Sequence, residues 1–101
     1  MLHFTSTIHK PENISRGINV FPGDSLHVYI NATNGIELGD YTNIGPGVGL
    51  ISVNHHFVNN DEFVAAKPIK IGKHCWLGKD ANVLPEVVLG DFTIVGAGAI
   101  V

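Results

Sequence analysis

Six histidines are the side chains of this 101-residue chain best suited to moving a proton near neutral pH. Two of them, His55 and His56, are adjacent and follow Asn54. Neighbours on an extended segment point to opposite faces, so only one of the two imidazoles can look into a given cleft. Asp61 and Glu62 come soon after and could orient a histidine or an acceptor hydroxyl, although as exposed loop acids they read first as solvated. His3, His9, His27 and His74 fall at outward or irregular places of the pattern described next and read as solvated side chains. Cys75 is the single cysteine, which excludes an intrachain disulfide and a multi-cysteine metal site. Its inward slot predicts a buried, inert thiol.

What must position the histidine pair is a repeat. Leu38 to Gly49 reads as two six-residue units, each opening with an aliphatic residue and then Gly, with Thr42 or Val48 four places after the opener. Carried along the chain, the phase gives openers Ile8, Ile14, Val20, Leu26, Ala32, Leu38, Ile44 and Leu50, then Ala65, Ile71, Leu77, Val83, Leu89, Val95 and Val101. All are Ala, Ile, Leu or Val, which chance would supply about once in 10⁵ trials, so the period is real. A second inward slot holds Ile30, Ile36, Thr42, Val48, Ile69, Cys75, Ala81, Val87, Thr93 and Ala99. Before Leu26 this slot is irregular, with Glu12 and Asp24, and predicts a distorted first coil.

Six residues make one flat side and cannot close a turn, whereas three units suffice for a parallel connection. The predicted fold is all-β: a triangular hexapeptide-repeat solenoid, or parallel β-helix, of about five coils stacked at ~4.8 Å, forming one domain over residues 1–101. Glycines such as Gly39, Gly45, Gly72, Gly78, Gly90 and Gly96 are expected to lend freedom near the corners. The phase breaks once. Nine extra residues, His56 to Val64, are expected to leave the prism as a loop of about 55–64, entered through Asn54-His55-His56, with Pro68 stiffening the return. Phe57, Val58, Phe63 and Val64 are apolar enough to require a partner surface.

Bulk properties narrow the class further. Charged residues are 15% of the chain and the net charge is -3, so there is no basic field for nucleic acid and no cationic membrane patch. No apolar run approaches the ~20 residues of a membrane span, and the first residues lack the features of a secretory signal, which makes a cytoplasmic protein the expectation.

Ile44-Gly45-Pro46, His55 after the following unit, Pro68-Ile69-Lys70-Ile71-Gly72, Trp76-Leu77-Gly78, Leu84-Pro85 and Val95-Gly96-Ala97-Gly98-Ala99 carry a specific likeness. From about Asn31 to Val101 the chain resembles the hexapeptide-repeat acyltransferases of the left-handed β-helix superfamily. It is most similar to the branch of galactoside and maltose acetyltransferases and the sugar O-acetyltransferases of polysaccharide assembly. The resemblance implies a left-handed β-helix, a homotrimer with sites between neighbouring prisms, acetyl-CoA as co-substrate, a sugar or related small acceptor, and no metal. It implies His55 as general base, with His56 its rival beside the acceptor, and Asn31 as an acceptor contact unless it only turns a corner. Trp76, Ala81, Gly96 and Ala97 match positions beside the cofactor.

The likeness also has departures. Family members usually carry an N-terminal segment and a C-terminal extension that covers the last coil, whereas this chain stops at Val101, so an exposed end and a weakened cofactor groove are expected. Glu86 stands where the family commonly has Gly. A catalytically inactive trimeric scaffold is therefore the alternative. A zinc-dependent carbonic anhydrase on the same prism would need three converging histidines, which the spacing of His55, His56 and His74 does not match.

Overall fold

A computed structural model describes residues 5–23, 25–55, 63–64 and 66–101. Apart from one 3-10 turn at Pro11–Asn13, every regular element among them is a strand of two or three residues, and no helix is long and apolar enough to cross a membrane. His56, Asp61, Glu62, Phe57, Val58, Ala65, His3 and Asp24 lie outside the described residues.

All but two of the strands described lie in three parallel sheets. Sheet A is built from β1 (Thr7–His9), β3 (Tyr29–Asn31), β6 (Gly49–Ile51) and β11 (Asn82–Val83). Sheet B holds β2 (Ile14–Arg16), β4 (Ile36–Leu38), β9 (Ile69–Ile71) and β12 (Val88–Leu89). Sheet C holds β5 (Asn43–Ile44), β10 (Trp76–Leu77) and β13 (Ile94–Val95). The first circuit supplies strands to A and B, and from β3 onward the chain visits A, B and C in rotation, so the three sheets enclose a triangular column. Ile30, Ile36, Leu50, Ile69, Leu77 and Val83 fill it, each at most 1% exposed.

Register measures each circuit. Ile71 lies opposite Leu89 and Leu77 opposite Val95, eighteen residues apart, as three six-residue units require. Leu38 lies opposite Ile71 and Ile44 opposite Leu77, thirty-three residues apart, so the excursion inserts fifteen residues and not the nine inferred from the phase. The excursion leaves between β6 and β9, and the stacked strands resume at Ile69. The first circuit is also long, because Ile8 and Ile14 pair with Ile30 and Ile36 across twenty-two residues. Leu26 is consequently displaced from the column and is 47% exposed, and Val28, at 1%, occupies the interior in its place.

The corners correct the expectation for glycine. Left-handed backbone is carried mainly by side-chain-bearing residues: Lys10, Asn19, His27, Tyr41, His74, Asp80, Glu86 and Phe92, against only Gly35, Gly47 and Gly98. Six of them are held by a repeated hydrogen bond to the circuit beneath. The amides of Tyr41, His74 and Phe92 donate to the carbonyls of Ile18, Asp40 and Lys73, and those of Gly47, Asp80 and Gly98 to Leu26, Pro46 and Lys79. Gly39 serves another purpose, close approach: a Cβ there would stand 2.5 Å from the Gly72 carbonyl oxygen and 2.6 Å from the Lys73 nitrogen.

Polar groups inside the column are paired. The Thr42 hydroxyl donates to Gly72 O at 2.7 Å and accepts from the Cys75 amide at 3.2 Å. Cys75 is 2% exposed, and its thiol meets the carbonyl of Gly90 at 3.2 Å. Among the described residues no buried side-chain nitrogen or oxygen lacks a partner.

Gly39→Ala and Gly90→Ala separate packing from freedom. Backbone atoms of the next circuit cannot yield, so Gly39→Ala should lose about 1–3 kcal/mol in urea unfolding. At Gly90 a Cβ meets nothing within 4 Å, and Gly90→Ala should be neutral or gain up to about 1 kcal/mol from a less flexible unfolded chain.

Candidate active site

The excursion leaves the column where sheet A turns towards sheet B. Ser52 and Val53 are buried at that corner, and the chain then forms β7 (Asn54–His55), which pairs antiparallel with β8 (Phe63–Val64). His55 is thus the last described residue of the outgoing strand, opposite Phe63. A hairpin stem, held by backbone pairing, fixes where its backbone leaves the prism.

The circuit below secures this exit. Asn31 lies in register with Ile51, and its carbonyl accepts from the Ser52 amide at 2.9 Å and from the Ser52 hydroxyl at 2.8 Å. Ser52 Oγ in turn accepts from the Asn34 amide at 3.0 Å, and Asn34 Nδ2 donates to the Ser52 carbonyl at 2.9 Å. The Asn31 side chain shapes the same turn: Oδ1 accepts from the Thr33 amide at 3.2 Å and from the Thr33 hydroxyl at 2.6 Å. The structure therefore brings Asn31 beneath the root of the His55 strand, and shows that its carboxamide oxygen is engaged in turning the corner.

The residues matched to cofactor positions lie elsewhere. Trp76 projects from sheet C, 56% exposed, between Asn43 and Ile94 on the neighbouring strands. Gly96 and Ala97 are exposed at the corner from sheet C to sheet A and lie over Gly78, two residues beyond Trp76, where a Cβ would come within 2.9 Å of the Ala97 nitrogen. Ala81 is placed differently. Its side chain is fully buried in the column, its amide donates to Gly78 O at 3.1 Å, and its carbonyl accepts from Gly49 N at 2.9 Å. In a three-sided column the A–B corner faces away from sheet C. One chain therefore presents His55 and Asn31 on one side, and Trp76, Gly96 and Ala97 on another.

The family described as bacterial transferase hexapeptide (six repeats) matches residues 68–101. Galactoside O-acetyltransferase of Escherichia coli (strain K12) is 30% identical over 101 residues, covering 93% of this chain and 50% of that protein. The putative colanic acid biosynthesis acetyltransferase WcaF of the same organism is 32% identical over 90 residues, 89% of this chain and 48% of its own length. The chain is thus similar, over about nine-tenths of its length, to proteins named as acetyltransferases, and its residues 68–101 carry the hexapeptide repeat of bacterial transferases. Its column is accordingly a left-handed parallel β-helix. A putative acetyltransferase of Schizosaccharomyces pombe is 31% identical over 101 residues, again 93% of this chain and 49% of that protein. The chain thus spans about half the length of the curated relatives it matches.

One feature of this hexapeptide-repeat chain has no signal in the hydropathy pattern. His74, read from sequence as solvated, is held between two rings, stacked on Tyr41 at 5.2 Å and 11° and on Phe92 at 5.1 Å and 2°. The signal that could have found it is the eighteen-residue step from His74 to Phe92, one circuit on the same corner. Among the described residues no group of three or more His, Cys, Asp or Glu gathers as a metal would require.

Asn31→Ala removes the acceptor for both Thr33 donors and should lower stability by about 1 kcal/mol in thermal unfolding, while Asn31→Asp, which keeps an oxygen there, should lose less.

Proposed function

We propose that this chain acts as an acetyl-CoA-dependent O-acetyltransferase on a hydroxyl of a sugar or a related small acceptor, with His55 as general base. The observation that carries the reading is kinship, over nine-tenths of the chain, with proteins named as acetyltransferases. A galactoside is the first acceptor to test, because one of those relatives is named for it.

In the reaction, the imidazole of His55 takes the hydroxyl proton as the oxygen attacks the thioester carbonyl. The C–S bond then breaks, the acetyl group stays on the acceptor oxygen, and the imidazolium returns its proton to the departing thiolate. Asn31 and His56 line the acceptor side. Trp76 packs along the cofactor, and Gly96 and Ala97 allow its pantetheine arm to approach the backbone. Ala81, inside the column, is left out of this contact set.

The opposite placement of the two groups supports a site shared between copies, in which the A–B corner of one prism meets sheet C of the next, and a homotrimer closes this heterologous contact.

Release of CoA thiol from acetyl-CoA with a galactoside acceptor tests the activity. His55→Ala should lower kcat by about 10²–10⁴. Mixing refolded His55→Ala with Trp76→Ala at limiting acetyl-CoA should recover activity, because some shared sites then receive both native residues. Absence of recovery would place the two groups in one chain, and absence of turnover by the unsubstituted protein with any pyranoside acceptor would leave a scaffold.

A further inference from the structure

The corner between sheets B and C carries one left-handed residue per circuit, and the rungs are Asn19, Tyr41, His74 and Phe92, with φ of 56°, 59°, 54° and 63°. Their equivalence is fixed by the backbone, since each amide from Tyr41 upward bonds to the carbonyl just before the rung below. Three rungs are stacked rings. The fourth is an asparagine.

His74 covers one face of Tyr41. On the side of the first circuit, where a ring is missing from the ladder, lies an open groove of about 360 Å³ lined by Asn19, Phe21, Ser25, Tyr41 and Asn43, with Thr42 and Ile44 at its base. That volume falls within the range of small-ligand sites. Phe21 and Tyr41 remain 51% and 49% exposed. Arg16 holds Phe21 in place: its guanidinium carbon lies 5.9 Å over that ring, and its Nη1 donates to Val20 O at 3.0 Å.

We infer that this groove is a saccharide-binding subsite, in which a pyranose ring takes the place of the missing rung, its C–H face on Tyr41 and its rim against Phe21. The lining chemistry selects this class. Among the described residues, those that line the groove carry no charged side chain, which disfavours phosphate or carboxylate ligands. Asn19 and Asn43 each offer an amide donor pair and a carbonyl acceptor for ring hydroxyls. The Ser25 hydroxyl donates to Ile44 O at 2.7 Å and so presents its oxygen as an acceptor. Asn43 lies directly below Trp76 in the register of sheet C, so a saccharide held here sits on the same sheet as the candidate cofactor aromatic and apart from the His55 corner of its own chain. Binding at this groove does not depend on acetyl transfer.

The experiment is a titration of ¹⁵N-labelled protein with methyl β-D-galactopyranoside and, separately, methyl β-D-glucopyranoside, followed by amide shifts. Saturable shifts are expected at Asn19, Tyr41 and Asn43. Phe21→Ala and Tyr41→Ala should each weaken binding about tenfold, the loss of one stacking contact, while Tyr41→Phe keeps the affinity within about twofold. Unchanged amide positions remote from the corner establish that each variant is folded. His55→Ala should bind as the unsubstituted protein does, even though it slows transfer. Shifts confined to the Asn31 and Asn54 corner, no shifts with either glycoside, or shifts at the groove with adenosine in place of the glycosides would each overturn the assignment.

Discussion

Each circuit of this chain has to lie on the one before it, backbone on backbone, and that requirement governs the rest. Parallel strands of two or three residues are too short to hold a sheet by themselves. The corners make up the difference by turning through left-handed backbone and donating an amide downward, as Tyr41, Asp80 and Phe92 do. A side chain in that conformation costs about 1–2 kcal/mol. The inter-circuit hydrogen bond offsets part of this, and at one corner ring stacking offsets more. Gly39 shows the same constraint from the other side, because the next circuit passes too close for any side chain.

The functional geometry follows from how the circuits are closed. Short corners keep sheets A, B and C in step, so a long segment can leave only at a corner, and it does so above the Asn31–Asn34 turn. The pairing of β7 with β8 marks the point of exit, while Trp76 stands on the side of the column facing the other way.

Much of this was legible in the amino-acid order, and the failures have physical causes. Interior slots admit only apolar or paired side chains, which is why Ile36, Leu50, Ile69 and Leu77 could be placed from periodicity alone. Leu26 could not, because in the first circuit backbone register, and not hydropathy, decides which aliphatic residue enters, and Val28 is the one aligned. Ala65 fitted the phase by composition, and the paired registers on either side show a longer insertion. Glycine letters reveal freedom but not proximity. Outward positions leave no hydropathy trace, so the rings of Tyr41, His74 and Phe92 emerged only once circuits were stacked. His55 was legible as the root of the excursion, whereas the engagement of the Asn31 carboxamide with Thr33 required coordinates.

The fifteen residues added at the A–B corner disturb no strand pairing above or below them, since Leu38 meets Ile71 and Ile44 meets Leu77 as though nothing intervened. Length at that point is therefore decoupled from the architecture. Descendants of such a gene can lengthen, shorten or rewrite the segment one codon at a time, and so try new molecular clients, while inheriting an unaltered frame.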